Sequence, residues 1–538
     1  MIAVIAALVI AVPVLVVFAH VFVPSGEVWR HLASTVLGRY LTNSFWLILG
    51  VGAGTFAIGV GTAWLVTMCR FPGRRIFEIA LILPLAVPTY AIAFAYAGLF
   101  EFAGPVQTAL REAFGWSRMD YWFPEIRSLG GAIFVMTLVL YPYVYLLARA
   151  AFLEQSVCVL EVARTLGRSP WQCFTGIALP LARPAIATGL ALALMETLAD
   201  FGTVAYFGVD TFTTGIYRTW FGLGNPPAAA QLAALLLGFV FVLIALERLS
   251  RGRARFHHTS GRYRPLPRFE LAGTRAGLAL LACLTPLALG FFLPGGQLLV
   301  WSVETADRMI DMRFLGLAAN SLMLAAITAA LAVMIGVLIA YAKRLRPTWT
   351  IKISARVVAL GYAVPGSVIA VGVLVPLAWL DNVIDGFMRA QFDLSTGLIL
   401  SGTIAALVFA YLVRFLAISL NTVEASLAKV TPSMDDAART LGCGPGKAFR
   451  RVHAPIIGGS LLTASLLVIV DVLKELPATL ILRPFNFNTL AVRAYELAAD
   501  ERLTDSASSA LAIVVAGILP VALLSRAVAA SRPGGVRT

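Results

Sequence analysis

The 538-residue chain is 59% apolar and 13% charged, with a mean hydropathy of +0.86. A soluble domain does not need so much apolar surface, so a soluble globular protein is excluded and lipid is the main solvent. The net charge of +14 lies in alternate loops, which reads as membrane topology and excludes a nucleic-acid-binding role.

Spanning the hydrocarbon core takes roughly 20 apolar residues per helix. In chain order, twelve windows qualify: 3–23, 42–68, 76–100, 129–151, 185–207, 228–247, 273–302, 319–342, 353–380, 397–420, 458–482 and 508–528. The first has no basic residues before it and is long for a signal peptide, so a retained helix is expected. Arg70, Arg74 and Arg75 follow the second window, seven arginines between 248 and 268 follow the sixth, and Lys343, Arg344, Arg346 and Lys352 follow the eighth. The intervening loops hold acids such as Glu101, Asp120, Glu125, Asp307, Asp311, Asp381 and Asp385. The positive-inside rule then places both termini and the basic loops in the cytosol. The five cysteines have no metal-ligand spacing, and disulfides are not expected.

The chain repeats itself. Asn43-Ser44, Ile58-Gly59 and Ala86-Val87-Pro88 recur 277 positions later as Asn320-Ser321, Ile335-Gly336 and Ala363-Val364-Pro365. Beyond the fourth window the offset is 275, pairing Leu166-Gly167 with Leu441-Gly442, Thr188 with Thr463 and Arg218 with Arg493. Six windows per half is an even number, so the halves are parallel repeats. The expected organisation is a first repeat at 1–247, a basic cytosolic linker at 248–270 and a second repeat at 271–538. The expected fold is an all-α polytopic membrane protein with a path on the axis between the halves.

Each half carries one polar island between its fourth and fifth windows, in loops 154–184 and 421–457. Residues 161–180 read EVARTLGRSPWQCFTGIALP, and residues 436–455 read DAARTLGCGPGKAFRRVHAP. A short helix should end at Gly167 or Gly442 in the left-handed region. A second helix should start with Pro170 or Pro445 in its first turn. Pro180 and Pro455 should then break the chain before the next window. Gly446-Lys447 is the nearest approach to a phosphate-cradling loop, but Leu441 and Ala448 replace the first Gly and the Ser/Thr, so no ATP site is expected in this chain.

This island resembles the coupling-loop signature of ABC-importer permeases: Glu-Ala-Ala, three residues, Gly, nine residues, Ile-x-Leu-Pro. Glu161, Ala163, Gly167, Ile177, Leu179 and Pro180 fall in register, with Val162 departing; Ala437, Ala438, Gly442 and Pro455 match in the second copy, with Asp436, Val452 and Ala454 substituted. The resemblance implies the type I importer permease fold and coupling residues Glu161, Ala163, Gly167, Pro180, Asp436, Ala438, Gly442 and Pro455. It implies docking on two copies of a separate ABC ATPase that binds ATP-Mg, with no cofactor on this chain.

The twelve fused windows also resemble the ferric-iron importer permeases, a branch that includes thiamine permeases. The stretches that carry this are 195–203 (METLADFGT) with 214–220, and 471–479 (DVLKELPAT) with 490–496. This implies a permease of the bacterial inner membrane, fed with ferric iron by a periplasmic or lipid-anchored binding protein. Glu196 and Asp200 are four apart, as are Asp471 and Glu475, so each pair should share a helix face. Carboxylates at mid-membrane are costly and face a cavity or a partner. They line the translocation path for a hard cation, or tie helices together through Lys474, Arg218 or Arg493. Arg218 and Arg493 are the candidate docking anchors for the binding protein on outer loops 208–227 and 484–507. Thiamine or another small solute is the alternative cargo. A secondary transporter driven by an ion gradient is the alternative class, but it leaves the paired loops without a purpose.

Overall fold

The computed structural model describes residues 2–154, 165, 167–251, 268–428 and 430–530. It is an all-α protein: eleven of its helices are long and apolar enough to cross a membrane, and a bent pair makes a twelfth. Its strand content among the described residues is one two-residue parallel pairing, Cys69–Arg70 with Phe269–Glu270.

Five of the expected spans are corrected by local chemistry: the fifth and eleventh stop at Ala199 and Leu473, and the third, ninth and tenth are interrupted or start late. The third is Arg74–Ala86 and Thr89–Phe114, bent by 90°. Val87, at φ −97° and ψ 127°, is extended because the following Pro88 disfavours the helical region. Val364 before Pro365 does the same at φ −80° and ψ 123°. The ninth window is therefore a short helix, Trp349–Leu360, followed by the long helix Gly366–Phe392. The tenth span begins at Ile404 rather than 397. Buried Asp381 accepts the N–H groups of Ile399, Leu400 and Ser401 and fixes that stretch as a loop.

Pro180 and Pro455 do not break their helices, contrary to expectation. A continuous helical span runs Pro170–Ala199, and another runs Pro445–Leu473. Each contains one π turn, Phe174–Ala178 and Phe449–His453, ending two residues before the proline. Proline has no N–H and its ring clashes with the carbonyl four residues back. A turn widened to i→i+5 removes both conflicts. The seventh span repeats the device, with a π turn at Ala288–Phe292 before Pro294.

The chain forms two compact units, each drawing on both sequence halves. One comprises residues 1–32, 215–237 and 310–493. Within it, the N-terminal helix Ile2–Ala19 packs on Trp349–Leu360 and Gly366–Phe392. A Cβ at Gly372 would lie 2.3 Å from the Pro13 carbonyl, so this contact needs glycine. The other comprises 33–214, 238–309 and 494–538. There the last span, Leu503–Ala530, packs on Leu293–Glu304 of the seventh.

The repeated Ile-Gly pair has a packing reason. In the second span (Leu37–Met68), a Cβ at Gly59 would lie 2.9 Å from the Tyr141 carbonyl of the fourth. In the eighth (Met312–Leu345), one at Gly336 would lie 3.2 Å from the Leu420 nitrogen of the tenth. Small residues let membrane helices approach this closely.

Candidate functional site

The second island folds as helix, left-handed glycine, helix, and the described part of the first has the same glycine and second helix. Gly167 has φ +74° and Gly442 φ +72°. In the second copy the helix Pro432–Thr440 ends in a Schellman motif: Gly442 N–H donates to Arg439 O and Cys443 N–H to Ala438 O, both at 2.9 Å. Ala438 is buried, whereas Asp436 is exposed and pairs with Arg439 at 3.5 Å. In the first copy, Glu161 and Ala163 lie outside the described residues.

The second helix of each island starts as expected, with Pro170 or Pro445 at its first position. Ser169 adds a reciprocal capping box: its hydroxyl accepts the Gln172 N–H at 3.3 Å, and Gln172 Oε1 accepts the Ser169 N–H at 2.9 Å. Gly444 stands at the matching position and makes no side-chain cap. The island then docks on the preceding spans through an aromatic ring. Phe174 lies 5.0 Å from Trp64, and Phe449 lies 5.0 Å from Tyr341. Trp64 and Tyr341 are themselves 277 positions apart, a repeat missed because the residue types differ.

A second cluster was also missed. Arg344 binds Asp435, and Asp435 meets His453 at 2.6 Å. In the sequence Arg344 is one of several basic residues that follow the eighth window, and Asp435 stands one residue before the motif. Burial alone would raise the Asp435 carboxyl, but hydrogen bonds and charge from Arg344 and His453 outweigh it and hold it below the usual carboxylate range. Its stabilising contribution is therefore complete above the ordinary carboxylate pKa and fades as pH falls through the lowered value.

The mid-membrane acids do not share helix faces as expected. The fifth span ends at Ala199, and Asp200 is extended at ψ 136°. Its carboxylate accepts the N–H groups of Thr203 (3.0 Å) and Val204 (3.2 Å) and the hydroxyls of Thr203 and Thr89. It caps the short helix Gly202–Tyr206. Glu475 does the same for Pro477–Leu482, accepting the N–H groups of Ala478 (3.0 Å) and Thr479 (3.1 Å). Arg414 lies 3.5 Å from it, in the buried interior. Asp471 pairs with Lys474 at 2.7 Å in the last turn of Ala454–Leu473. Glu196 stays in its helix, half-buried. An acid with backbone N–H groups within reach caps a new helix more readily than it extends the old one.

The outer loops are held by the repeated asparagines. Asn43 Nδ2 donates to the Asp210 carbonyl at 2.8 Å, and Asn320 Nδ2 to the Asn488 carbonyl at 3.2 Å. Each fixes the start of the segment that carries the candidate docking arginine. Arg218 is exposed and opens a π turn at Arg218–Gly222; Arg493 is half-buried in Leu490–Ala499.

A doubled set of apolar spans, each half with one structured polar island, defines a polytopic transport permease. The chain belongs to the binding-protein-dependent transport system inner membrane component family, which it matches twice, over residues 55–255 and 332–534. The two matches start 277 residues apart, the register of the internal repeat. It is 27% identical to the Fe(3+)-transport system permease protein FbpB 2 of Haemophilus influenzae, over 96% of both chains. It is 28% identical to the molybdenum transport system permease protein ModB of Escherichia coli, over 40% of this chain and 98% of that one. The sulfate transport system permease protein CysT of Escherichia coli is 29% identical over 36% of this chain and 68% of its own. The protein is thus a multi-pass inner-membrane permease of an ATP-binding-cassette importer.

Proposed function

We propose that this permease imports ferric iron, handed over by an external binding protein. The observation that carries this is the end-to-end match to an Fe(3+) permease, whereas the molybdenum and sulfate relatives match less than half of the chain. Two copies of a separate ATPase, each holding ATP-Mg, dock on the islands around Gly167 and Gly442, with both termini on the same cytosolic side. Glu161, Ala163 and Pro180 act in the first island, and Asp436, Ala438 and Pro455 in the second. Glu196, Asp200, Asp471 and Glu475 are the path residues of their own spans, and Asp200 and Glu475 act there as helix caps, since their oxygens are already engaged by this chain. An oxyanion is the second reading, supported by the molybdenum and sulfate relatives.

The test is ATP-dependent uptake into liposomes holding permease, ATPase and binding protein. Accumulation of radiolabelled Fe(III) is the expected result. Uptake of molybdate or sulfate with none of iron would transfer the reading to the oxyanion. Replacing Arg218 and Arg493 together by glutamate should abolish binding-protein-stimulated uptake with membrane insertion unchanged; full uptake by that variant would remove the docking role.

A further inference from the structure

We infer that Arg344 is the positioning residue through which the second coupling loop moves the eighth span, and that the residue types at its register positions in the first half do not repeat it. The inference rests on the loop's docking to an ATPase as proposed above. Arg344 is the next-to-last residue of the eighth span, Met312–Leu345. Its Nη1 donates to the Leu427 carbonyl at 2.6 Å, in the last turn of the tenth span. Its Nη2 donates to the Val430 carbonyl at 2.8 Å, in the link to the loop. Nε and Nη2 both reach Asp435 Oδ2, at 3.0 and 2.7 Å, in the first turn of the loop helix. One guanidinium thus holds the end of a span, the link and the loop.

The neighbours complete the attachment. Asp435 Oδ1 meets His453 Nε2 at 2.6 Å, inside the π turn that leads into the eleventh span. One turn before Arg344, the Tyr341 hydroxyl donates to the Pro445 carbonyl at 2.7 Å. Lys343 pairs with Glu424 of the tenth span at 2.7 Å. The loop is therefore fastened to the eighth span at its start, just past its glycine and at its exit. Only a planar fork with five donors makes the central four bonds; a lysine ammonium is a single point. The Arg344 and Asp435 side chains are 17% and 22% exposed, so solvent screens this charge-assisted pair only partly.

The register positions in the first half hold Thr67 for Arg344, Leu160 for Asp435 and Ala178 for His453. These residue types cannot build the network. Among the described residues, the first half has at this level the ring contact of Trp64 on Phe174 at 5.0 Å and a different ion cluster, Glu78 with Arg74 and Arg149, in which Arg74 Nη1 donates to the Val66 carbonyl at 2.9 Å and which does not include a residue of the island.

The test needs no transported solute. In liposomes holding the complete complex, a cysteine placed at Phe485, whose side chain is 95% exposed in outer loop 484–507, is labelled with an impermeant maleimide. Labelling is followed with and without ATP and vanadate, beside ATP hydrolysis. Wild type should change its labelling rate on adding nucleotide. Arg344→Ala should keep hydrolysis and lose that change, and Arg344→Lys, which keeps the Asp435 pair but gives up carbonyls, should lose it in part. A wild-type response in Arg344→Ala overturns the inference. So does parallel loss of ATPase association and hydrolysis in both variants, which makes Arg344 a part of the docking surface only. Gly442→Asp separates the two readings: if it leaves ATPase association intact, the docking reading itself fails, whatever Arg344 does.

Discussion

Replacing Gly167 and Gly442 together by aspartate is expected to reduce ATP-driven uptake to background while the spans still insert and fold. Both glycines have positive φ, which costs an ordinary residue about 1–2 kcal/mol. Aspartate tolerates that region better than most residues, so the strain is modest. Among the described residues, nothing lies within 4 Å of a Cβ built at either position. The new side chains therefore meet no obstacle inside the permease. On the proposed docking, each turn pushes a carboxylate into the surface offered to the ATPase. Uptake should vanish and ATPase co-purification should fall, with the melting temperature in detergent nearly unchanged. Undiminished uptake by the double variant would mean that the islands do not transmit anything.

The second large effect concerns stability. Arg414→Met should unfold the region around the break at Glu475 and sharply lower the yield of monodisperse protein. Glu475 and Arg414 are 2% and 9% exposed as side chains. Removing one partner of such a buried pair costs about 3–5 kcal/mol, because the remaining charge is left uncompensated. Adding Glu475→Gln should recover part of the loss, since it removes the uncompensated charge and its single amide oxygen still accepts one of the Ala478 and Thr479 N–H groups. The first half shows why the pair is needed here. Thr89 supplies a hydroxyl to Asp200, but its register partner is Gly366. A Cβ there would lie 2.5 Å from Glu475 Oε1 and 3.1 Å from Arg414 Nη1. Glycine vacates the space and Arg414 fills it. Equal melting temperatures for wild type and Arg414→Met would remove the pair as the support of this break.

Much of this architecture was legible from the residues. The 277-residue register located the paired asparagines and the close-packing glycines, because identical backbone tasks keep identical residues. The helix end at Gly442, the left-handed turn at Gly167 and the starts at Pro170 and Pro445 followed from backbone chemistry that is local. What escaped depends on competition between local choices. A hydropathy window averages across Asp200 and Glu475, so it cannot see that each prefers to cap a new helix. Nor does it distinguish a proline that ends a helix from one absorbed by a wide turn, as at Pro180 and Pro455. The Arg344–Asp435–His453 cluster joins residues up to 109 positions apart, and it occurs in one half only, so repeat matching passes over it. The packing partner of the N-terminal helix was equally invisible, because an apolar surface is satisfied by lipid or by any helix.

That one-sided cluster has a consequence for the gene. A permease assembled from two copies of a shorter chain carries every substitution twice, so its two arms stay mechanically alike. Joining the halves into one reading frame frees each arm to vary alone and fixes their ratio at one to one. Substitutions such as Thr67→Arg or Ala178→His then act as adjustments to one lever without touching the other.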